Sequence, residues 1–448
     1  MKKFLEAFIN VWKIEELKNR ILVTLGLLLV YRFGAHVTLP GIDATKLNGL
    51  TNQTQEGIGW LIDVFTGGAF SQASVFALGI MPYISASIVV QLMGIAVPYL
   101  QKLQKEGESG RKKINQITRW LTIIITLVQG PGYIYNLYRT LPAEAFLISS
   151  NSVPFIFSSV VILTTGTIFA MWLGEKITDK GIGNGISLLI LVGIIARMPQ
   201  AFIQEFTTRV TENNGGPMLL VLEIVIWLLI IIACILLIMA VRKIPVQYAR
   251  RTTTGDFEQD MAGGNRQWIP LKLNAAGVMP IIFAQAIMFI PAALAGLSKS
   301  DAAQTITSQF QNVFGFAYNL VFALLIIIFT YFYTAITVPT NKMADDLKRS
   351  GGFIPGVRPG VETGDYLDKI MSLITFPGSL FLALIAVFPA VVVSLLGVQS
   401  QWALFYGGTS LLIMVGVAID TIQQINSYLL NRHYDGLMKS GKNRKAVA

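Results

Sequence analysis

Long runs of uncharged, apolar residues recur along the whole chain and are separated by shorter polar stretches. A helix of about 20 apolar residues is long enough to cross the ~30 Å hydrocarbon core of a bilayer. We therefore predict an all-α membrane protein in which each run is one membrane-spanning helix. The ten predicted spans are 20–38, 74–97, 117–138, 153–174, 184–203, 217–241, 274–297, 315–338, 371–396 and 403–428.

One uncharged run fits neither one crossing nor two. Residues 64–101 contain no Lys, Arg, Asp or Glu over 38 consecutive positions. As a single helix this run would be roughly 57 Å long, well beyond one bilayer. We predict that it contains span two and most of a short re-entrant half-helix, 58–72, that enters from the outer side and returns. The same pattern also fits a helix lying flat on the outer surface.

The distribution of Lys and Arg predicts the orientation. When Arg20, Arg119 and Arg197, which lie inside predicted spans, are assigned to the nearest loop, 29 of the 35 basic residues belong to the N-terminal segment, the loops after spans two, four, six and eight, and the C-terminal tail. Five belong to the opposite side, and Arg32 lies inside span one. By the positive-inside rule both termini are cytoplasmic. A second crossing by 64–101 would place most of the later basic residues outside, so this run crosses once.

The predicted domain organisation follows from the span count. A cytoplasmic amphipathic segment, 1–19, precedes a first five-span half, 20–206, and a second five-span half, 207–428. A basic cytoplasmic tail, 429–448, ends the chain. Because five is odd, the second half would be inverted relative to the first, with a pathway at the interface of the halves.

Composition supports a polytopic membrane protein and excludes several kinds of site. The chain is 53% hydrophobic and 13% charged, about half the charged fraction of soluble domains. Cys234 is the single cysteine, and His36 and His433 are far apart, so we predict no disulfide and no metal site. The sequence has no phosphate-binding GxxxxGK[ST] loop and no evident nucleophile–His pair. We predict neither enzymatic activity nor a cofactor.

The spans contain almost no ionisable residues, which bears on the kind of transport. An ion-coupled secondary transporter with inverted repeats is the alternative function, but it would place carboxylates, His or Lys at mid-membrane. Arg32, Arg197, Glu223 and Asp420 are better explained by snorkelling at helix ends or by local ion pairs. An apolar pathway instead favours a poorly wetted constriction. A scaffold without a pathway would leave the re-entrant segment unexplained.

The cytoplasmic loops are longer than turns require. Residues 101–116, 242–274 and 339–370 carry five, six and five Lys or Arg residues, and the last loop also contains several glycines and prolines. Shaped basic loops of this length favour a docking surface for a large partner. Attraction to anionic lipid headgroups is the alternative explanation.

Several long motifs, in order along the chain, resemble the SecY family, the channel subunits of the bacterial Sec protein translocase. The resemblance covers about residues 15–435. The motifs are FALGIMPYISAS (76–87), KEGESGRKK (105–113), MWLGEKITDKGIGNGIS (171–187), PLKLNAAGVMP (270–280), ADDLKRSGGFIPGVRPG (344–360) and FYGGTSLLI (405–413).

The resemblance implies an hourglass channel with an apolar pore ring and a plug that seals the closed pore from outside. The plug corresponds to about 58–72, and polar residues of span two, Ser85 and Gln91, correspond to a lateral gate toward lipid. The pore ring corresponds to Ile80, Ile84, Ile186, Ile190, Ile282 and Ile413, and the plug residues to Trp60, Leu61, Phe65, Gly67 and Gly68.

The resemblance also implies a docking surface for a motor or a ribosome. This surface corresponds to Arg250, Arg251, Lys348, Arg349 and Arg358. The chain departs from the family pattern after Arg251, where Asp256, Glu258 and Asp260 stand in place of further basic residues. Fewer cations would weaken a salt-dependent contact with ribosomal RNA phosphates.

The function implied is passage of unfolded secretory polypeptides across the membrane and lateral release of hydrophobic segments into lipid. The implied partners are SecE-type and SecG-type membrane subunits, the SecA motor ATPase, the ribosome, and preproteins with their signal sequences. The implied location is the bacterial cytoplasmic (inner) membrane.

Overall fold

The computed structural model of the chain describes residues 12, 14–47, 50, 63–147, 153–211, 216–248, 267–295 and 312–444. Its fold is mainly helical, and a helix coincides with each of the ten predicted spans. These ten helices are α1 (Glu15–Gly34), α2 (Met81–Ala96), α4 (Glu108–Thr140), α5 (Val153–Lys180), α6 (Gly185–Val210), α7 (Gly216–Met239), α8 (Met279–Ala295), α9 (Phe316–Thr337), α11 (Val361–Leu396) and α13 (Gly408–Arg444). The shorter helices are α3 (Pro98–Lys105), α10 (Thr340–Arg349) and α12 (Ser400–Ala403).

Length and composition identify six of the described helices as able to cross a membrane on their own. A seventh span is obtained if α2 and α3, which meet at a bend of 100°, are taken together. The bend falls where Pro98 begins α3, because the residue before a proline is disfavoured in helical conformation. Helix α2 has 16 residues and the described part of α8 has 17, close to the shortest length that spans a bilayer.

The long helices expose apolar side chains, as expected of surfaces that face lipid. In α7, Leu229 and Leu236 are exposed while Cys234 is buried. In α11, Leu384 and Leu395 are exposed. Apolar exposure on this scale indicates contact with a membrane rather than with water.

Contacts divide the chain into two compact units. The first contains Met1–Glu212, Gln399–Trp402 and Ile413–Ala448. Its central core is formed by α1, α5 and α6, with Tyr31 and Leu173 among the buried residues. The second unit contains Asn213–Val398 and Ala403–Leu412, and its α9 and α11 pack closely together.

Span two begins later than predicted, because residues 66–80 form turns. Gly67, Gly68 and Gly79 have positive φ angles, which favour glycine and interrupt a helix. Only 63–65, within the described part of the predicted half-helix, are helical. The helix α2 then starts at Met81 with Pro82 in its first turn, a position where proline is well tolerated. The 17 uncharged residues before α2 are therefore a folded, largely buried segment rather than part of a span.

Two of the loops predicted to be cytoplasmic pair in a small sheet, which adds strands to a fold predicted to be all-α. Strand β1 (Val241–Tyr248) lies between β2 (Gln267–Lys272) and β3 (Gly352–Phe353), and both pairings are antiparallel. Ile244 and Val246 alternate with more exposed residues, as the period of a strand requires. Because β3 belongs to the other loop, the sheet joins the loops after spans six and eight.

Candidate functional site

The first four isoleucines of the predicted pore ring lie at the starts of two helices of the first unit. Ile80 is the last residue before α2, and Ile84 follows one turn later. Ile186 is the second residue of α6, and Ile190 is one turn further along. Isoleucines four residues apart lie on one face of a helix. The start of α6 is fixed by Asn184, whose Oδ1 accepts a hydrogen bond of 3.1 Å from the Ile186 amide.

The structure brings three of these isoleucines into one apolar cluster. Ile80 is buried in it, and Ile84 and Ile186 are half-buried against it. Ile190 and Ile413 are buried within the first unit. Ile282 lies in α8 of the second unit and is half-buried. The cluster that contains Ile80, Ile84 and Ile186 is an apolar surface of the kind that a dry constriction needs.

The described part of the predicted plug packs on the same cluster. Ala69 and Ile80 are both buried members of it. Phe65 is half-buried, and Gly67 and Gly68 are buried. Two other predicted plug residues, Trp60 and Leu61, lie outside the described residues.

The plug segment touches α6 through its backbone. A Cβ built on Gly67 would lie 2.7 Å from the Cα of Gly193, and one built on Gly193 would lie 3.0 Å from the carbonyl oxygen of Phe65. Side chains at either glycine would separate the two elements. This close approach explains the small residues on both sides of the contact.

A charged network at the plug was missed by the sequence analysis. The Arg197 guanidinium of α6 donates hydrogen bonds to the Asp63 carboxylate and to the Ser71 hydroxyl. The Arg32 guanidinium of α1 donates to the Gly67 carbonyl oxygen. The only sequence feature that pointed to this network was the presence of arginines inside two apolar spans. For Arg197, the structure shows a local ion pair with Asp63.

The acidic member of this network is deeply buried. The Asp63 side chain is 6% exposed, and its Oδ1 accepts a hydrogen bond of 2.7 Å from the Ser71 amide. Burial raises the pKa of the Asp63 carboxyl, while the neighbouring Arg197 guanidinium opposes that rise. The site therefore combines an apolar cluster with charged contacts from Arg32 and Arg197.

The two predicted gate residues lie on α2, which packs on α4 and α5. Ser85 is half-buried and Gln91 is exposed. The Gln91 side-chain amide donates to the Ser87 hydroxyl one turn earlier, at 3.4 Å. The role of Ser85 and Gln91 in a lateral gate stays a prediction.

The long loops of the second unit, predicted to be cytoplasmic, form one folded lobe. Its core includes Ile244 and Leu271 from the sheet, Leu347 from α10, and Leu367 from the start of α11. Lys348, Arg349 and Arg358 are exposed on this lobe. A Cβ built on Gly360 would lie 3.9 Å from the Lys348 Nζ, so Lys348 lies beside the turn that carries Arg358.

The lobe presents its basic side chains with weak internal pairing. The ion pair of Arg358 with Glu362 spans 3.7 Å, and both side chains are largely exposed. Such a pair contributes little and leaves the guanidinium accessible. Arg250, Arg251 and the acidic residues Asp256, Glu258 and Asp260 lie outside the described residues.

Comparison with known proteins identifies the family. A family model described as SecY matches residues 74–422. The chain belongs to the SecY family. The SecY subunit of the protein translocase from Streptomyces scabiei is 39% identical over 446 residues, covering 97% of this chain and 100% of the relative. The SecY subunit from Thermotoga maritima is 40% identical over 446 residues, covering 98% of this chain and 99% of the relative.

Solved structures share the SecY fold at low sequence identity. A structure described as that of a protein-conducting channel has 16% identity and a TM-score of 0.58, and 92% of each chain is covered. Sec61 in the canine ribosome–channel complex has 15% identity and a TM-score of 0.57, again with 92% of each chain covered. The ten predicted spans agree with this fold. SecY-family membership also makes the chain a channel subunit of a membrane translocase rather than an enzyme, and does not support an ion-coupled transporter.

Proposed function

We propose that this chain forms the protein-conducting pore of a Sec translocase in the bacterial cytoplasmic membrane, with both termini in the cytoplasm. Unfolded secretory polypeptides pass through the ring of Ile80, Ile84, Ile186, Ile190, Ile282 and Ile413. The observation that carries the proposal is that the plug residue Ala69 shares one buried apolar cluster with Ile80, Ile84 and Ile186. A segment entering from outside thus covers the residues proposed to form the constriction.

The apolar ring suits a substrate without fixed side chains. A polypeptide in transit presents every residue type, so a polar binding site would retain some segments and reject others. A narrow apolar ring excludes water and ions while it tolerates any chain. Sufficiently apolar segments leave through a lateral gate at Ser85 and Gln91, because each central Leu, Ile, Phe or Val favours the bilayer by about 0.3 to 0.6 kcal/mol.

The energy for transport comes from a partner that docks on the cytoplasmic lobe. The exposed cations Lys348, Arg349 and Arg358 on a folded support are suited to contact a SecA-type motor or ribosomal RNA phosphates. A ribosome is the partner in the complex that contains canine Sec61. SecE-type and SecG-type subunits complete the proposed assembly.

The direct test places a translocating chain at the constriction. Cys234 is replaced by serine and Ile186 by cysteine, and a secretory precursor with a single cysteine is arrested halfway through the channel. We expect a disulfide crosslink at position 186 that appears only with the arrested precursor.

The matched control is Ile195→Cys on the same helix. Ile195 is 45% exposed, whereas Ile186 belongs to the apolar cluster. Equal crosslinking at 186 and 195, or none at 186, would contradict the proposed pore.

A further inference from the structure

The carboxyl-terminal part of the predicted plug segment, residues 63–72, is attached to the rest of the first unit by charged side chains. We call these residues the plug root. We infer that Arg32 and Arg197 are plug-positioning residues, which hold the plug root against spans one and five so that the plug returns to one place after each polypeptide has passed. This inference rests on the proposed channel function.

Arg197 makes the central attachment. Its guanidinium binds both the Asp63 carboxylate and the Ser71 hydroxyl, eight residues apart, so that it clamps the two ends of one turn-rich stretch. The guanidinium also lies over Gly68, since a Cβ built there would be 2.9 Å from the Arg197 Nε. A planar guanidinium with several donors fixes the register of its partners more tightly than an apolar contact does.

Arg32 makes a second attachment from a different helix. It lies in the last turn of α1 and donates to the backbone of Gly67, 35 positions later in the chain. Because the acceptor is a carbonyl oxygen, the contact depends on the path of the plug backbone and not on a plug side chain. The backbone contact of Gly67 with Gly193 lies at the same point.

Burial makes the ion pair of Asp63 and Arg197 costly to break. The Asp63 side chain is 6% exposed and that of Arg197 is 23% exposed. Removing one partner of a largely buried pair leaves a charge that must find water or another partner. The plug root would then move away from α6. Removing a buried methyl group, by contrast, leaves no unpaired charge and would only loosen the packing.

The test is the ion permeability of the resting channel. The chain is reconstituted with its partner subunits in liposomes, and ion efflux is measured without precursor for wild type and for Arg197→Gln. We expect the resting efflux of Arg197→Gln to rise by about tenfold or more, because the charge pair that seats the plug is broken. An efflux equal to that of wild type would overturn the inference.

The matched control breaks another buried ion pair of the same helix. Glu205 accepts hydrogen bonds from the Arg209 Nε at 2.8 Å and from the Gln399 amide at 2.9 Å, and these partners lie outside the plug root. We expect Glu205→Gln to keep the wild-type efflux even if its melting temperature falls. Equal leakage from Glu205→Gln and Arg197→Gln would mean general loosening of α6 and would also overturn the inference.

A double variant separates a direct contact from a remote effect. We expect Asp63→Asn to leak like Arg197→Gln, and the two changes together to leak less than the sum of the single effects, because the residues contact each other. Strict additivity would contradict a shared contact. Asp63→Asn also serves if Arg197→Gln does not assemble.

The crosslink at position 186 keeps this inference distinct from the proposed function. If the crosslink forms but efflux is unchanged in Arg197→Gln and Asp63→Asn, only the plug-positioning role fails. If the crosslink is absent in the otherwise wild-type channel, the channel function itself fails.

Discussion

At the scale of single residues, glycines determine where the proposed constriction can sit. A Cβ built on Gly185 would lie 2.0 Å from the carbonyl oxygen of Gly174. Because that oxygen belongs to the backbone, no side-chain rotation could relieve the clash. A Cβ built on Gly174 would lie 2.8 Å from the Cγ1 of Ile186. The backbones of α5 and α6 therefore meet at these glycines, directly beside Ile186 of the proposed ring. The position of Ile186 depends on their lack of a side chain.

We predict that Gly185→Ala lowers stability by about 1–3 kcal/mol, since the added methyl group must push two backbones apart. The same displacement moves Ile186, so crosslinking of an arrested precursor at 186 should also weaken. The measurement is the melting temperature of the purified protein together with the crosslink yield.

The control is Gly26→Ala in α1, where a Cβ would have no neighbour within 4 Å. We expect it to retain the wild-type melting temperature. A Gly185→Ala protein as stable as Gly26→Ala would show that α5 and α6 are not in close contact there.

At the scale of elements, the small sheet makes one lobe of two loops, because β1 of one loop pairs with β3 of the other. Strand β1 pairs Gln247 with Phe353, and the shared core contains residues from both loops. An isolated hairpin is marginally stable in water, so the core beneath it supplies the stability. The basic residues of the second loop are thus presented on a folded support.

We predict that Ile244→Ala destabilises this lobe by about 2–5 kcal/mol, because Ile244 is buried among residues of both loops. Hydrogen exchange should accelerate in 241–248 and in 352–353 together. Binding of a motor or ribosome should weaken as well, although no exposed cation is changed.

Val241→Ala on the same strand is the control, since Val241 is 40% exposed. Its exchange rates should match those of wild type. Faster exchange in 241–248 alone after Ile244→Ala would mean that the two loops fold independently.

At the scale of the whole molecule, the asymmetric charge distribution predicts how the chain lies in the membrane. The part of the lobe that carries Arg358 follows span eight, whereas Leu147 follows span three. An odd number of crossings separates the two loops. They should therefore face opposite sides of the membrane.

We predict opposite labelling of two cysteines introduced into a Cys234→Ser chain. Leu147→Cys should react with a membrane-impermeant maleimide in right-side-out vesicles, and Val361→Cys should react only after detergent is added. The two native side chains are 72% and 80% exposed, so both positions are accessible in the fold. Labelling of both cysteines before detergent, or the reverse pattern, would contradict the proposed orientation.

The features of the fold that could be predicted were those that depend on neighbouring residues in the sequence. All ten spans were located, because hydropathy over about 20 residues is sufficient to identify a helix that can cross a membrane. The start of span two was placed seven residues too early, since apolar turns at 74–80 have the hydropathy of a span. The strands were missed because β1 and β2 lie almost entirely in the segment predicted to be the loop 242–274, and β3 lies in a different loop.

The candidate site divides in the same way. The isoleucines of the predicted ring came from motifs that resemble the SecY family, and three of them share one cluster in the structure. The network of Arg32, Asp63 and Arg197 was not predicted, because its contacts join residues up to 134 positions apart in the sequence. No spacing rule connects an arginine near the outer end of one span with an aspartate before another.

By itself the sequence determined that this protein is a membrane protein with ten apolar helices, how Lys and Arg are distributed between its loops, and which family its motifs resemble. Hydropathy, charge and motif are properties of neighbouring residues, so they can be read without a fold. Only the tertiary structure decided that 66–80 form buried turns, that Arg197 meets Asp63, and that two loops share a sheet. Each of these depends on which distant segments come into contact, and contact energies between distant segments leave no periodic signal in the chain.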